Sequence, residues 1–441
     1  MDRDAHELAR TLVAAPEAGA ATAPRQVAVI GGGWAGLAAA VEATRLGHAV
    51  SLFEMAPHLG GRSRAVGVDG LDNGQHILIG AYSATLGLLR GVGVDVEQAF
   101  LRLPLRIAYP DGTGLHLAAG APALAFARAV LARHGWPWLA RIGLLVAAAG
   151  WAGRGFRCDP STTVAALTAT VPQVVRDDLI DPLCVAALNT PAAHASASVF
   201  LRVLKDALLS GPGSADLMLP RMSLSELLPD PAARWLANAG ASVRLSRRVE
   251  RLEARDDAWW VDGVHFDTVV VATTPTEASR LTRDIAPAWA RAAAALRYEP
   301  IVTVYLQSAG ARLAEPMLAL RADADAPAQF VFDRGQLGGP PGLLAFVISG
   351  AAPWVERGAA ATLQATLGQA HTALAAQLHA PLEPVRVLVE KRATFRCTPQ
   401  LARPAAAIAP GLFAAGDHVA GPYPATLEGA VRSGLLAARQ L

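Results

Sequence analysis

Cysteine is scarce in this chain. Its three cysteines, Cys158, Cys184 and Cys397, lie far apart and form no CxxC pair. That spacing excludes a disulfide framework and a zinc-ribbon site, and it suits a reducing cytosol. Lysine is scarcer still: Lys205 and Lys391 are the only two, so arginine carries almost all of the positive charge. Charged residues make up 17% of the chain, balance to a net +2 and include no basic block. Nucleic acid is therefore not an expected partner. Long apolar runs are absent as well. The charge-free run that reads as one helix, Ile142 to Gly153, has 12 residues. As a helix it would reach roughly 18 Å, against a hydrocarbon core of about 30 Å. The front of the chain shows no basic segment followed by an apolar one, so no signal peptide is expected. The Ala-rich residues 1–24 read as a poorly ordered tail.

Apolar side chains are abundant, at 52% of 441 residues. That is enough for a large core and for two interleaved domains. Residues 25–30 (RQVAVI) predict a buried strand, 37–46 a helix stopped by Gly47, and 49–54 (AVSLFE) a second strand. The tract 115–152 and residues 160–210 predict helices, broken at Pro172 and Pro191. Strand patterns return at 242–249, 258–262, 268–272, 301–306, 343–348, 385–390 and 411–415.

Between the first strand and helix lies Gly31-Gly32-Gly33-Trp34-Ala35-Gly36, with GxGxxG at positions 31, 33 and 36. Alone this pattern is weak. Here it follows a strand, opens a helix, and is followed by an acid, Glu54, closing the next strand, which makes it a dinucleotide fingerprint. Gly31 permits the tight turn, Gly33 lets backbone approach a pyrophosphate, and Gly36 lets helix pack on strand. The helix N-terminus then faces the phosphates with free N–H groups. Glu54 is placed to accept from adenosine ribose hydroxyls.

The run EMAPHLGGRSRA contains Gly60-Gly61-Arg62, and Ala414-Ala415-Gly416-Asp417 follows a late strand. Both resemble signatures of the flavoprotein superfamily that holds amine oxidases, phytoene desaturases and Rab GDP-dissociation inhibitors. The resemblance implies FAD, with Gly61 and Arg62 beside the pyrophosphate and Asp417 on the ribitol or pyrophosphate. It also implies Val249 backbone at the adenine, and Ala425, Thr426 and Leu427 at a helix N-terminus beside the flavin ring. No second GxGxxG exists for a nicotinamide, so the electron donor stays open. The implied architecture is α/β. A discontinuous Rossmann-like FAD-binding domain (25–80, 240–275, 405–441) holds an inserted α+β substrate domain (81–239, 276–404). The helical part of that domain, 117–210, includes a stretch suited to a membrane surface.

Residues 72–76, Asp72-Asn73-Gly74-Gln75-His76, narrow the resemblance to the hydroxysqualene dehydroxylases. PLCVAALNTP (182–191), ASASVFLRVLKDALL (195–209), DLMLPRMSLSELL (216–228) and YEPIVTVYL (298–306) are similar to the same family. The implied reaction is reductive: hydroxysqualene loses its hydroxyl, reduced FAD delivers hydride, and squalene and water form. Gly74, Gln75 and His76 would run under the flavin. The resemblance puts His76 and Asp72 forward as the general acid for the leaving oxygen. Tyr82, Asn189, Tyr298, Glu299, Tyr423 and Lys391 are weaker candidates, with Asn189 read as a helix cap before Pro191. An isoprenoid hydrocarbon is insoluble in water, so residues 117–153, with Arg128, Arg133, Arg141, Trp136, Trp138 and Trp151, suit peripheral membrane contact; a buried helical layer is the competing reading. Three alternatives remain at this stage: a carotenoid- or phytoene-type desaturase, an amine oxidase, and a non-catalytic prenyl-lipid binder.

Overall fold

A computed structural model describes residues 23–67, 70–256 and 258–441 of the chain. The tail expected at 1–24 therefore falls almost wholly outside the described residues. At the centre lies a six-stranded sheet in the order Ser242–Arg244, Ala49–Phe53, Gln26–Ile30, Thr268–Val271, Leu412–Ala414, Ala407–Ala409. The first five strands run parallel and the last is antiparallel. Val27 to Ile30 and Val269 to Val271 are buried without alternation, as strands covered on both faces require. The central strand has its sequence neighbour on one side and Thr268–Val271 on the other. That reversal opens a crevice at the carboxyl ends of the strands.

The helix Trp34–Arg45 begins directly at the glycine turn, three residues earlier than the sequence pattern places it. Trp34 tucks into the core there, 3% exposed. Gly47, with φ +87°, stops the helix as expected. The C-terminal helix Leu427–Ala438 lies against it. A Cβ on Gly434 would stand 2.1 Å from the Ala35 carbonyl, so only glycine permits this crossing.

A second, antiparallel sheet has the order Met317–Ala319, Phe330–Asp333, Leu343–Ile348, Tyr298–Gln307, Glu383–Phe395. Its side chains alternate between two cores. Val302, Val304, Leu306, Val331 and Phe346 pack against Trp354, Ala370 and Leu374. Tyr305, Phe330, Phe332 and Val347 face the helical layer that includes Asp181–Leu188 and Ala197–Leu209.

Two expectations need correcting. The strand foreseen at 242–249 ends at Arg244, and Ser246 takes φ +52°, which no strand accommodates. The helix foreseen across 115–152 is a short strand, Gly114–His116, followed by helices Pro122–Ala132 and Trp138–Gly153. Gly135, at φ +87°, and Pro137 turn the chain between the two helices.

Candidate functional site

One cavity of about 640 Å³ runs from the crevice of the parallel sheet to the space between the second sheet and the helical layer. Cofactor and ligand sites commonly occupy about 300–1,000 Å³. The crevice end is a glycine cradle. A Cβ on Gly36 would meet the Gly31 carbonyl at 1.8 Å, and one on Gly31, at φ +107°, would meet the Ala272 carbonyl at 2.5 Å. Gly36 closes the turn on itself, and Gly31 seats it against the end of the strand Thr268–Val271. Gly33 is different. Its Cβ would meet nothing nearer than the Gly61 Cα, 4.0 Å away, and Gly61 has φ +59°. Gly61 lies close against it: a Cβ there would stand 3.3 Å from the Gly33 Cα, and Gly33 pairs with Gly60 as a β-bridge, so the open space lies on the outer side of Gly33. No side chain caps the helix that starts at Trp34, so its first N–H groups are free to receive an anion. Trp34 Nε1 donates to the Ser63 carbonyl at 2.9 Å and ties this helix to the second glycine turn.

The ion pair at the middle of the cavity joins distant parts of the chain. Arg62 donates to Asp417 at 2.7 Å and to the Ala393 carbonyl at 2.7 Å. Burial pushes the Asp417 carboxyl up, but the Arg62 guanidinium and His418 overcome it and hold Asp417 well below the ordinary carboxylate range. Glu54 is 8% exposed. It accepts the Gly32 N–H at 2.7 Å and the Ala56 N–H at 2.8 Å, which fixes its carboxylate at the end of its strand. Val249 lines the same end of the cavity, and its carbonyl accepts from Arg280. At the other end Thr426 caps the helix Leu427–Ala438 by accepting the Gly429 N–H at 3.1 Å. Ala425, Thr426 and Leu427 line the cavity. Gly31, Gly33, Trp34, Ala35, Glu54, Gly61, Arg62, Gly74, Gln75, His76, Val249, Asp417 and Gly416 line it too, while Gly36 lies behind the turn it closes.

Of the two residues expected to act as acids, only His76 reaches the cavity. Its Nδ1 lies 3.3 Å from the Gly74 carbonyl and its Nε2 3.1 Å from Ser63 Oγ. The carbonyl only accepts, so Nδ1 carries the hydrogen and Nε2 accepts from Ser63. Burial lowers the imidazole to about 4. His76 is thus neutral at neutral pH, which corrects its expected role as a proton-donating imidazolium. Asp72 is corrected more fully. Its carboxylate accepts the Leu224 N–H at 2.8 Å, its carbonyl accepts Tyr305 Oη at 2.9 Å, and it does not line the cavity. Gln75 donates to Tyr305 Oη at 2.9 Å and accepts from Arg334 at 2.9 Å, so this polar strip supports the segment from behind.

The weaker candidates separate as well. Asn189 has φ +47° and ends the helix Asp181–Leu188, as its reading as a cap requires. Its amide holds the Gly350 N–H at 2.7 Å and Thr394 Oγ1 at 2.9 Å. Tyr423 is held by Arg202 and stacked under Arg432, outside the cavity lining. Lys391 is exposed, on the opposite face of its strand from Leu388 and Glu390, which do line the cavity. Tyr298 and Glu299 are also absent from the lining, whereas Tyr82 belongs to it. Burial, then the Glu428 carboxylate, pushes the Tyr82 phenol up, so it keeps its proton. Ser63, Thr303, Glu390 and His418 line the cavity without having been singled out. The period-2 pattern of 385–390 could have put Glu390 on the same face as Leu388. Nothing local marks Thr303 or His418.

Beyond the polar crevice the walls are apolar. Ile77, Ala186, Ala187, Val203, Ile301, Phe330, Phe332, Val347 and Leu388 form them. Among the described residues no cluster of His, Cys, Asp or Glu could hold a metal ion.

Residues 34–441 match the family described as flavin containing amine oxidoreductase. Two curated relatives share this chain's length. The hydroxysqualene dehydroxylase of Sinorhizobium fredii is 26% identical, covering 94% of this chain and 98% of its own. That of Rhodopseudomonas palustris is 28% identical, covering 94% and 97%. Among solved structures, an oxidoreductase from Methanosarcina mazei superposes with a TM-score of 0.69 at 16% identity, covering 94% of this chain and 100% of its own. That likeness speaks for the fold alone.

Proposed function

The chain belongs to the family of flavin-containing amine oxidoreductases, and from that premise we propose that it removes the hydroxyl of hydroxysqualene reductively, giving squalene. It is an FAD-dependent oxidoreductase. The observation that carries the finer reading is the continuity of the cavity: a crevice built for a dinucleotide opens directly into a chamber walled by aliphatic and aromatic side chains. The two full-length relatives with that activity in their names support the same substrate.

The residues present fit FAD. Gly33 leaves the open space that a pyrophosphate would need, Gly61 packs beside it, and the uncapped N-terminus at Trp34 offers N–H donors there. Glu54 has lone pairs left that would take the adenosine ribose, Val249 backbone would meet the adenine, and the Arg62–Asp417 pair would hold the ribityl and phosphate region. The N-terminus of Leu427–Ala438, whose first residues line the cavity, would set its dipole toward the negative charge of a reduced flavin. Reduced FAD, when bound, would supply the hydride that replaces the departing hydroxyl.

The chain's own residues bind, shield and protonate. Phe330, Phe332, Val347, Leu388 and Val203 exclude water, which protects a short-lived cation from capture. Glu390, on the strand that carries Leu388, sets a carboxylate beside that chamber. With Asp72 turned away and His76 neutral, Tyr82 is the remaining sequence candidate in the lining that keeps its proton, and its O–H would hydrogen-bond the departing oxygen. Neutral His76 holds the Ser63 hydroxyl and keeps the flavin-side segment rigid.

Anaerobic incubation with reduced FAD and hydroxysqualene, followed by product analysis, tests the proposal. Squalene is the expected product. Desaturation of squalene or phytoene with oxidised flavin, and no turnover of hydroxysqualene, would favour the desaturase instead.

A further inference from the structure

The helical hairpin Pro122–Ala132 and Trp138–Gly153 turns an apolar face outward. Trp138 is 58% exposed, Leu139 81% and Val146 65%, with Ile142, Leu124 and Leu131 beside them. Positions 139, 142, 146 and 149 recur at helical spacing and are all exposed, while Ala140, Leu144 and Trp151 on the opposite face are buried. Monomers seldom leave several large apolar side chains on one exposed face without a use for them. The expected roles of Trp136 and Trp151 at a surface are therefore corrected: both are core residues, 3% and 4% exposed. Trp136 Nε1 donates to Asp178 at 3.0 Å.

Charge on the same stretch is one-sided. From residue 112 to residue 158 there is no Asp or Glu, while Arg128, Arg133, Arg141, Arg154 and Arg157 are present. Arg128, Arg154 and Arg157 are exposed. Arg133 is occupied by Asp178, and Arg141 donates to the Trp136 and Leu131 carbonyls. The acids on the turn that packs behind the hairpin are engaged too: Asp178 by Arg321 as well, and Asp177 by Gln173.

We infer that this face docks on an anionic lipid bilayer, with Trp138–Gly153 lying in the plane of the interface. The apolar stripe enters the headgroup boundary and the exposed arginines meet lipid phosphates. A second copy of the chain fits this face less well. A two-fold contact would set the same arginines opposite each other with no acid from this stretch to pair with them. The helix Ala197–Leu209 packs on the hairpin and carries Val203 of the chamber wall. The docked face therefore lies one helix away from the cavity. The inference does not depend on which isoprenoid the cavity takes, because its test contains no substrate.

Full-length FAD-loaded protein is mixed with vesicles of phosphatidylcholine alone, or of phosphatidylcholine with phosphatidylglycerol, and sedimented. Sedimentation with the anionic vesicles is expected, reversed by high salt and at least about tenfold weaker in the Leu139→Asp, Val146→Asp double variant. Both positions are exposed, so the variant should keep its circular dichroism and flavin spectrum. Absence of sedimentation with anionic vesicles, or sedimentation unchanged in the double variant, overturns the inference. So does a dimer in solution that the same substitutions dissociate, since the face would then be a contact between copies.

Discussion

Two carboxyl groups close in sequence to the glycine turns and the late flavin signature respond to burial in opposite ways. At Asp417 the Arg62 guanidinium outweighs burial and holds the charge. At Asp72 burial prevails over the Leu224 N–H and pushes the carboxyl from 3.8 to about 6. A carboxyl raised by folding keeps its proton in the native state after the unfolded chain has released it. Its contribution to stability is thus full below the ordinary value and is lost as pH rises toward 6. Asp72→Asn removes that loss, on the order of 3 kcal/mol, while its amide oxygen still accepts from Leu224. Denaturant unfolding of wild type and variant between pH 4 and 7 should show a flatter curve for the variant, with turnover within a few-fold of wild type. A collapse of turnover with an unchanged pH curve would return Asp72 to the catalytic group. His76 has the reverse sign. Lowered to about 4, it favours the folded state above its ordinary value, and that contribution fades as pH falls through that range.

The glycine turn and its helix act as a unit, yet their glycines have different duties. A methyl group on Gly36 meets backbone at 1.8 Å, whereas one on Gly33 meets nothing closer than 4.0 Å. Gly36→Ala should therefore fail to fold or lose several kcal/mol of stability, as overpacking against rigid backbone does. Gly33→Ala should fold with a normal thermal midpoint and lose FAD, because its methyl occupies the pyrophosphate gap. Thermal unfolding of the apoprotein and flavin titration separate the two. A Gly33→Ala protein that binds FAD as tightly as wild type would contradict the assignment of the gap. At this scale the sequence was most legible. Strand, glycine turn, helix and Glu54 are local and periodic, so the βαβ unit could be read directly. The helix Trp34–Arg45 was placed three residues late because Trp34 and Ala35 looked like turn residues and are in fact buried. The short strand Leu217–Pro220 escaped notice, since its pairing partners Leu78–Ile79 and Phe100–Leu103 are far away in sequence.

Across the whole molecule, function depends on joining distant segments. Arg62 reaches Asp417 and Ala393, Gln75 reaches Arg334, and Asn189 reaches Thr394 and Gly350. The FAD half of this assembly was legible because its pieces carry signatures. The chamber was not, because Phe330, Val347 and Leu388 are ordinary strand residues until folding turns them toward one space. For the same reason sequence could propose Asp72 as an acid but could not see that it faces Leu224. The central claim is that electrons leave the flavin for the isoprenoid. Holoprotein is reduced by light in an anaerobic cuvette, hydroxysqualene is added, and the oxidised-flavin band is followed together with product. The account predicts that the band returns in step with squalene, in equal amounts. A flavin that stays reduced with hydroxysqualene, yet is bleached from its oxidised state by squalene or phytoene, would contradict it.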